Sequence, residues 1–301
     1  MGLALLFSGQ GMQHPAMLPW LVEDGTLQRV QQHLGSDWRE RLADPAWAGR
    51  NAHAQLLLTG LALAAWAQLA PLLPPPAAVA GYSVGELAAF AAAGVFDTDT
   101  ALTLAQQRAI LMDQAAEARP TGLFGLSGLT GPATERLCAD FGLAIAIRNG
   151  EDSVVLGGPR ALLPPALDAA RQQGAHATPL NVQLASHTPW MQPAALAFAQ
   201  AIAPLELRAP RTLLFSNAAG RITNAEQARC ALATQIDHTV RWDECMENIA
   251  SRRVACVLEI GPGQALARMW NQRYPQVPAR SVDEFRSAGA IADWVGRHAL
   301  L

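Results

Sequence analysis

PAAVAGYSVGELAAF, residues 76–90, decides how the rest of the chain is read. Ala77 to Ala80 is a short apolar run of the kind that forms a buried strand, and Glu86 to Ala93 has the composition of a helix. Between them lies Gly81-Tyr82-Ser83-Val84-Gly85, a Gly-x-Ser-x-Gly segment. Strand, sharp turn and helix are the context in which that pattern works as a nucleophile elbow. So tight a bend crowds the backbone on both sides of Ser83, and only residues without a Cβ relieve it. Ser83 then stands at a helix N-terminus, where backbone N–H groups can stabilise a developing oxyanion. A serine in an ordinary βα loop is the alternative; the flanking strand and helix favour the elbow.

The 301 residues suffice for one large domain or two of unequal size. Half are hydrophobic and 16% are charged, which excludes a disordered chain. A net charge of -3 leaves no basic footprint for nucleic acid. All 22 basic residues are Arg, so anion recognition falls to guanidinium groups, His or backbone amides. Cys138, Cys230, Cys245 and Cys256 form no CxxC and no metal-ligand spacing, and read as buried free thiols. MGLALLFSGQG has only a short apolar run and no basic stretch before it, a first strand rather than a signal peptide. The longest apolar stretch, Leu56 to Ala80, is broken by Gln68 and a proline cluster. It suits a buried helix (Ala54 to Leu69), a turn (Pro71 to Pro76) and the elbow strand rather than a membrane span. The expected location is a reducing cytoplasm.

Leu3 to Phe7 reads as a strand ending in Ser8-Gly9-Gln10-Gly11. Residues 17–48 read as surface-like helix anchored by Trp20, Trp38 and Trp47. Asp97 or Thr98 can cap a helix from Thr100 to Ala118. The texture then changes. Gly122 to Leu129 reads as strand and Pro132 to Phe141 as helix; Leu143 to Arg148 and Ser153 to Leu156 read as strands joined at Asn149-Gly150. Arg160 to Gln173 follows as helix and His176 to Val182 as strand. The order βαββαβ is that of a ferredoxin-like unit. Beyond it, helices are expected from Ser186 to Ile202, Asn224 to Gln235, Trp242 to Arg252 and Ser281 to Leu301, with strands at Thr212 to Ser216 and Val254 to Ile260. The predicted fold is α/β: an α/β-hydrolase-like large domain with a mostly parallel sheet, residues 1–120 and 185–301, carrying an inserted small domain, residues 121–184.

A serine nucleophile needs a base, and the base an orienting acceptor. His187, at a strand-to-helix junction where the chain re-enters the large domain, is the first candidate, and His238, at a helix end, the second. An oxyanion needs two donors. One is the N–H of Val84, after the nucleophile; the other comes from a glycine-rich loop after an early strand, and Gly9-Gln10-Gly11 has that shape. Arg108 sits in an otherwise apolar helical stretch and requires a partner, either a structural carboxylate such as Glu86 or the carboxylate of a substrate.

Separated stretches now point one way: FSGQG (7–11), GYSVGE (81–86), QRAILM (107–112), NVQLASHTPWM (181–191), TVRW (239–242) and EIGPGQAL (259–266). Together they resemble the malonyl-CoA:acyl-carrier-protein transacylase family over nearly the whole chain. The resemblance implies an acyltransferase, an [acyl-carrier-protein] S-malonyltransferase, working by ping-pong chemistry. Ser83 would accept the acyl group, His187 would be the base, and the amides of Gln10 and Val84 would hold the oxyanion. Arg108 would bind the malonyl carboxylate, with Asn149 and His238 as further substrate-binding candidates. In this family a backbone carbonyl orients the base; by alignment it falls near Arg252. No cofactor is implied: the substrate is malonyl-CoA and the acceptor a phosphopantetheine-type thiol of an acyl carrier protein. Departures from the family pattern are Tyr82 for His, Ser8 for Pro, Ser153 for Gln and Thr239 for Pro. GYSVGE, ASHTP and SVDEFR (281–286) are most similar to the epsilon subunit of bacterial malonate decarboxylase, which loads that complex's carrier subunit. A transacylase of fatty-acid or polyketide synthesis, a hydrolase of the same fold and a non-catalytic carrier-binding scaffold are the rival readings.

Overall fold

Leu3, Leu5 and Phe7 alternate with Ala4 and Leu6 along β1 (Gly2–Phe7), and all are fully buried. Successive side chains of a strand point to opposite faces, so both faces of this sheet are covered. In a computed structural model describing residues 2–299, β1 is central in a six-stranded sheet. The remaining strands are β2 (Ala78–Gly81), β3 (Thr121–Ser127), β4 (Ala144–Arg148), β5 (Ser153–Pro159), β6 (His176–Pro179), β7 (Leu214–Ser216), β8 (Gly220–Ile222), β9 (Val240–Arg241), β10 (Val254–Ile260) and β11 (Ala279–Ser281). The large sheet runs β11-β10-β1-β2-β7-β8 and is parallel except for the edge strand β8.

Leu3, Leu5 and Phe7 pack into a cluster with the helix Asn51–Leu69, whose leucines and alanines are buried on nearly every side. This is the apolar helix expected from the sequence, and it is the rod of the core. Ala4 and Leu6 face the other way, into a cluster shared with Ala80, Phe215 and Trp242.

The small sheet runs β6-β3-β5-β4-β9. Its first four strands are antiparallel, and helices Gly131–Phe141 and Leu163–Gln172 cover one face around Phe124, Leu156 and Leu167. The other face presents Leu123, Ile147 and Val155 to the large sheet's second cluster. Two differences from the sequence reading are physical. β9 joins β4 in parallel from outside residues 121–184, so the small sheet recruits a strand from the large domain's chain. β8, β9 and β11 are two or three residues long, too short to show a period of two.

Parallel strands deliver their loops to one edge. β1 and β2 pair with Phe7 opposite Gly81, so Ser8-Gly9-Gln10 and Tyr82-Ser83-Val84 emerge side by side. β10 and β7 end at the same edge, with Gly261-Pro262-Gly263 and Asn217. Open α/β sheets bind their ligands at this carboxyl edge.

Candidate active site

Both glycines of the elbow are required by close approach. A Cβ on Gly81 would lie 2.2 Å from the Gly85 carbonyl carbon and 2.4 Å from the Glu86 nitrogen, and one on Gly85 would lie 2.3 Å from Phe7 O. The turn forces Ser83 to φ 56°, a conformation that a residue with a side chain adopts only when its surroundings hold it there. Asn217, fully buried after β7, does the holding. Its Oδ1 accepts from Ser83 N–H at 2.9 Å and its Nδ2 donates to Gly81 O at 2.6 Å. Asn217 N–H in turn donates to Glu86 Oε1 at 2.5 Å. Burial pushes the Glu86 carboxyl up to about 7, against the pull of the Asn217 amide.

Ser83 Oγ–H donates to His187 Nε2 at 2.7 Å. His187 is docked on the end of the helix Ala225–Thr234. Its backbone N–H donates to Ile236 O at 2.8 Å, and its Nδ1–H donates to Gln235 O at 2.5 Å. Helix C-termini leave carbonyls without intrahelical partners and carry the negative end of the dipole. Such an acceptor fixes the tautomer that leaves Nε2 free to take a proton. His187 also has positive φ, 63°, so nucleophile and base are both held in strained backbone. Burial, and secondarily the Arg108 charge, hold the imidazole down to about 3, with the Gln235 bond opposing. It is therefore neutral at any ordinary pH.

The orienting carbonyl is thus that of Gln235, and the expectation of Arg252 is corrected. Arg252 O already accepts from Val254 N–H at 2.6 Å, and its guanidinium lies over the Phe215 ring. His238 is exposed, bonded to Asp237 and the Thr234 carbonyl, and takes no part in lining the chamber. Asn149 accepts from the Tyr82 hydroxyl at 3.0 Å.

The amides of Gln10 and Val84 have no internal acceptor among the described residues. Both belong to the neighbouring loops at the sheet's carboxyl edge, the arrangement an oxyanion hole requires. The loop bearing Gln10 is anchored from below: Ser8 Oγ–H donates to Glu259 Oε1 at 3.0 Å, while Glu259 Oε2 accepts from Ala267 N–H at 2.8 Å. Ser8 therefore has a partner that a proline could not reach.

Arg108 is completely buried and meets no carboxylate at ion-pair distance among the described residues. Its guanidinium instead donates to two neutral carboxamides, Gln55 Oε1 at 2.6 Å and Gln235 Oε1 at 3.1 Å, and its Nε–H has no partner. Burial lowers it to about 10, so it keeps its charge. Glu86 is close enough to oppose that shift without touching it. Gln235 also donates from Nε2 to Ser83 O at 3.2 Å, so one residue contacts nucleophile, base and guanidinium. Gln55, Gln235 and Asn217 carry no local sequence signal; Gln235 was reachable only as the residue closing a predicted helix.

These groups surround a chamber of about 110 Å³ lined by Gln10, Gln55, Ser83 and His187 from the large domain and Leu123, Ile147 and Val155 from the small sheet. A hydroxyl on a neutral buried base, two unpaired amides on adjacent loops and a buried cation one side chain behind the wall can carry out acyl transfer from a compact acidic acyl donor.

A family model described as an acyl transferase domain matches residues 5–295. The chain is 33% identical over 304 residues to the malonyl CoA-acyl carrier protein transacylase of Mycobacterium tuberculosis strain H37Rv, covering 93% of this chain and 96% of that protein. It is 28% identical over 300 residues to the Escherichia coli K12 protein of the same name, with 93% and 96% covered. Among solved structures, an acyl carrier protein S-malonyltransferase from Vibrio cholerae superposes with TM-score 0.87 at 30% identity, covering 97% of this chain and all of that one. A type II PKS acyl-carrier protein in complex with its malonyl-transacylase is matched with TM-score 0.90 at 28% identity, over 97% and 99% of the chains.

Proposed function

The chain belongs to the acyl transferase domain family, as an acyltransferase of its malonyl-CoA:acyl-carrier-protein transacylase group, and from that premise we propose that its acceptor is the carrier subunit of malonate decarboxylase. His187 takes the proton of Ser83 as Oγ attacks the thioester carbonyl of malonyl-CoA. The amides of Gln10 and Val84 receive the oxyanion, and as the tetrahedral intermediate collapses His187 Nε2 gives its proton to the departing sulfur, so CoA leaves as the thiol and the base is neutral again. The carrier's pantetheine thiol then gives its proton to His187 as its sulfur attacks the Ser83 ester, and Ser83 Oγ takes that proton back as it leaves. Arg108 meets the malonyl carboxylate, which competes with the Gln55 carboxamide for the guanidinium. Asn149 and His238 fall away as substrate contacts in this reading, because each is bonded within the protein.

The single observation that supports malonyl is the buried Arg108 held only by neutral carboxamides. An acetyl donor leaves that cation without a countercharge, which is costly in a buried site. Arg108→Ala is expected to slow malonyl transfer by about 10²-fold or more and to erase the preference over acetyl, read as kcat/KM for each donor. Full malonyl preference in the variant contradicts the assignment. The decarboxylase carrier is supported by the GYSVGE, ASHTP and SVDEFR stretches, with Tyr82 of the first built into the site. It is tested by transfer to two purified carriers, one from malonate decarboxylase and one from fatty-acid synthesis. A kcat/KM favouring the first supports the proposal; equal or reversed preference assigns the chain to fatty-acid or polyketide supply. This reading implies a protein of the cytoplasm, where malonyl-CoA and the carrier thiol are both made, and needs no cofactor.

A further inference from the structure

Tyr82 touches four parts of the molecule at once. Its N–H donates to Phe7 O at 2.9 Å, which ties the elbow to the end of β1. Its ring lies against the loop that carries Gln10: a Cβ on Gly9 would come within 2.7 Å of the ring's Cδ1 and 2.9 Å of Tyr82 O. Gly9 does not have positive φ, so glycine is required there by this approach and not by backbone conformation. The hydroxyl donates to Asn149 Oδ1 at 3.0 Å, at the turn between β4 and β5 of the small sheet, where Asn149 N–H donates to Ser153 O. The ring also meets Trp242 edge-on, centroids 5.2 Å apart, a favourable aromatic geometry. Burial holds the phenol far above its ordinary pKa, so the hydroxyl remains a donor.

We propose that Tyr82 is a positioning residue with two separable tasks: its ring sets the Gly9-Gln10 backbone against the elbow, and its hydroxyl latches the small domain over the acyl-serine. The two oxyanion amides stand on different loops, so their spacing depends on what lies between those loops, and the Tyr82 ring lies there. The acyl-serine must also outlast the interval between departure of one thiol and arrival of the next. The Tyr82–Asn149 bond is the tie from elbow to hairpin, and one neutral hydrogen bond is weak enough to open for each thiol. The inference rests on the malonyl-transfer reading but not on the identity of the carrier.

The test uses the full-length enzyme, radiolabelled malonyl-CoA and pantetheine itself as acceptor, so a wrong carrier leaves it intact. Acylation, hydrolysis of the malonyl-enzyme and transfer to pantetheine are timed separately. Tyr82→Phe is expected to raise the ratio of hydrolysis to transfer of its malonyl-enzyme about 10-fold, the weight of one neutral hydrogen bond. Asn149→Ala should reproduce that leak, and the double variant should be no leakier than either single one. Tyr82→Ala should lose about 10²-fold in acylation, the cost of displacing one oxyanion donor, with Tyr82→Phe restoring it. Should Tyr82→Ala fail to fold, Gly9→Ala tests the same contact from the loop side and should slow acylation without raising the share of hydrolysis. Acylation at the parent rate in Tyr82→Ala or Gly9→Ala overturns the first task. An unchanged hydrolysis-to-transfer ratio in Tyr82→Phe, or leaks that multiply in the double variant, overturns the second. A parent enzyme that takes no label contradicts the malonyl reading itself, and is seen before any variant is compared.

Discussion

The chamber has a floor and a roof, and they are built differently. The floor, from the large domain, is over-determined. Ser83 is held by Asn217 and Gln235, Asn217 by Glu86, and His187 by two carbonyls at one helix end. Both reacting residues sit at positive φ, and the surrounding bonds keep them there. The roof, from the small sheet, presents Leu123, Ile147 and Val155 and is tied down more sparsely. Tyr82 reaches Asn149, Thr239 Oγ1–H donates to Ile145 O at 2.7 Å, and β9 pairs with β4 along two residues. Rigid elements where bonds are made and broken, and lighter ties where substrates pass, is the division expected of a site that must admit two bulky thiols in turn.

The comparison breaks most visibly at the floor. His187→Ala removes the base and should slow acylation of Ser83 by about 10²–10⁴-fold, measured by quenched-flow labelling with malonyl-CoA. Loss of less than tenfold would mean that another group, or water, serves as base. Asn217→Ala comes next. It leaves the Ser83 amide and the Gly81 carbonyl without partners, at about 1–3 kcal/mol each, so the urea midpoint should fall together with the acylation rate. Normal stability with normal acylation would show that the elbow does not need this carboxamide.

The pH profile sharpens the contrast. With His187 held at about 3, below its ordinary value, the folded protein carries a working base through the range where a free His would protonate. Between those two values the unfolded chain binds the extra proton, so this residue makes acid destabilise the fold rather than titrate the rate. Acylation should therefore show no inflection near pH 6.5. Glu86, raised to about 7, titrates nearby, so the measurement is repeated in Glu86→Gln. An inflection near 6.5 that persists there contradicts a buried neutral base. The smallest effect belongs to the roof. Thr239→Val removes one tie, should cost about 0.5–1.5 kcal/mol, and should leave acylation within about 2-fold. A floor-sized loss would show that roof and floor are one mechanical unit.

The difference between the two regions also marks what could be read from sequence. Ser83, Gln10 and the strand-turn-helix around them are local patterns: glycines at fixed offsets, an apolar run before, a helix after. His187 was found by its place at a junction, and the apolar helix Asn51–Leu69 by composition. Gln235, Gln55 and Asn217 were not legible, because their roles come from tertiary packing and their types are ordinary. The error at Arg252 has the same origin: a backbone carbonyl carries no side-chain signature, and only the Val254 amide bonded to it shows that it is occupied. The short strands β8, β9 and β11 were invisible for want of length, and β9 matters most, since it ties the roof to the chain of the floor.

A malonyl group carried on Ser83 is the central expectation. Stoichiometric incubation with radiolabelled malonyl-CoA, rapid acid quench and peptide mapping measure it directly. The expected result is one label per chain on the peptide bearing Ser83, absent in Ser83→Ala and discharged on adding a carrier thiol. Label on any other residue, or malonate released as fast as CoA with no labelled protein, would contradict it.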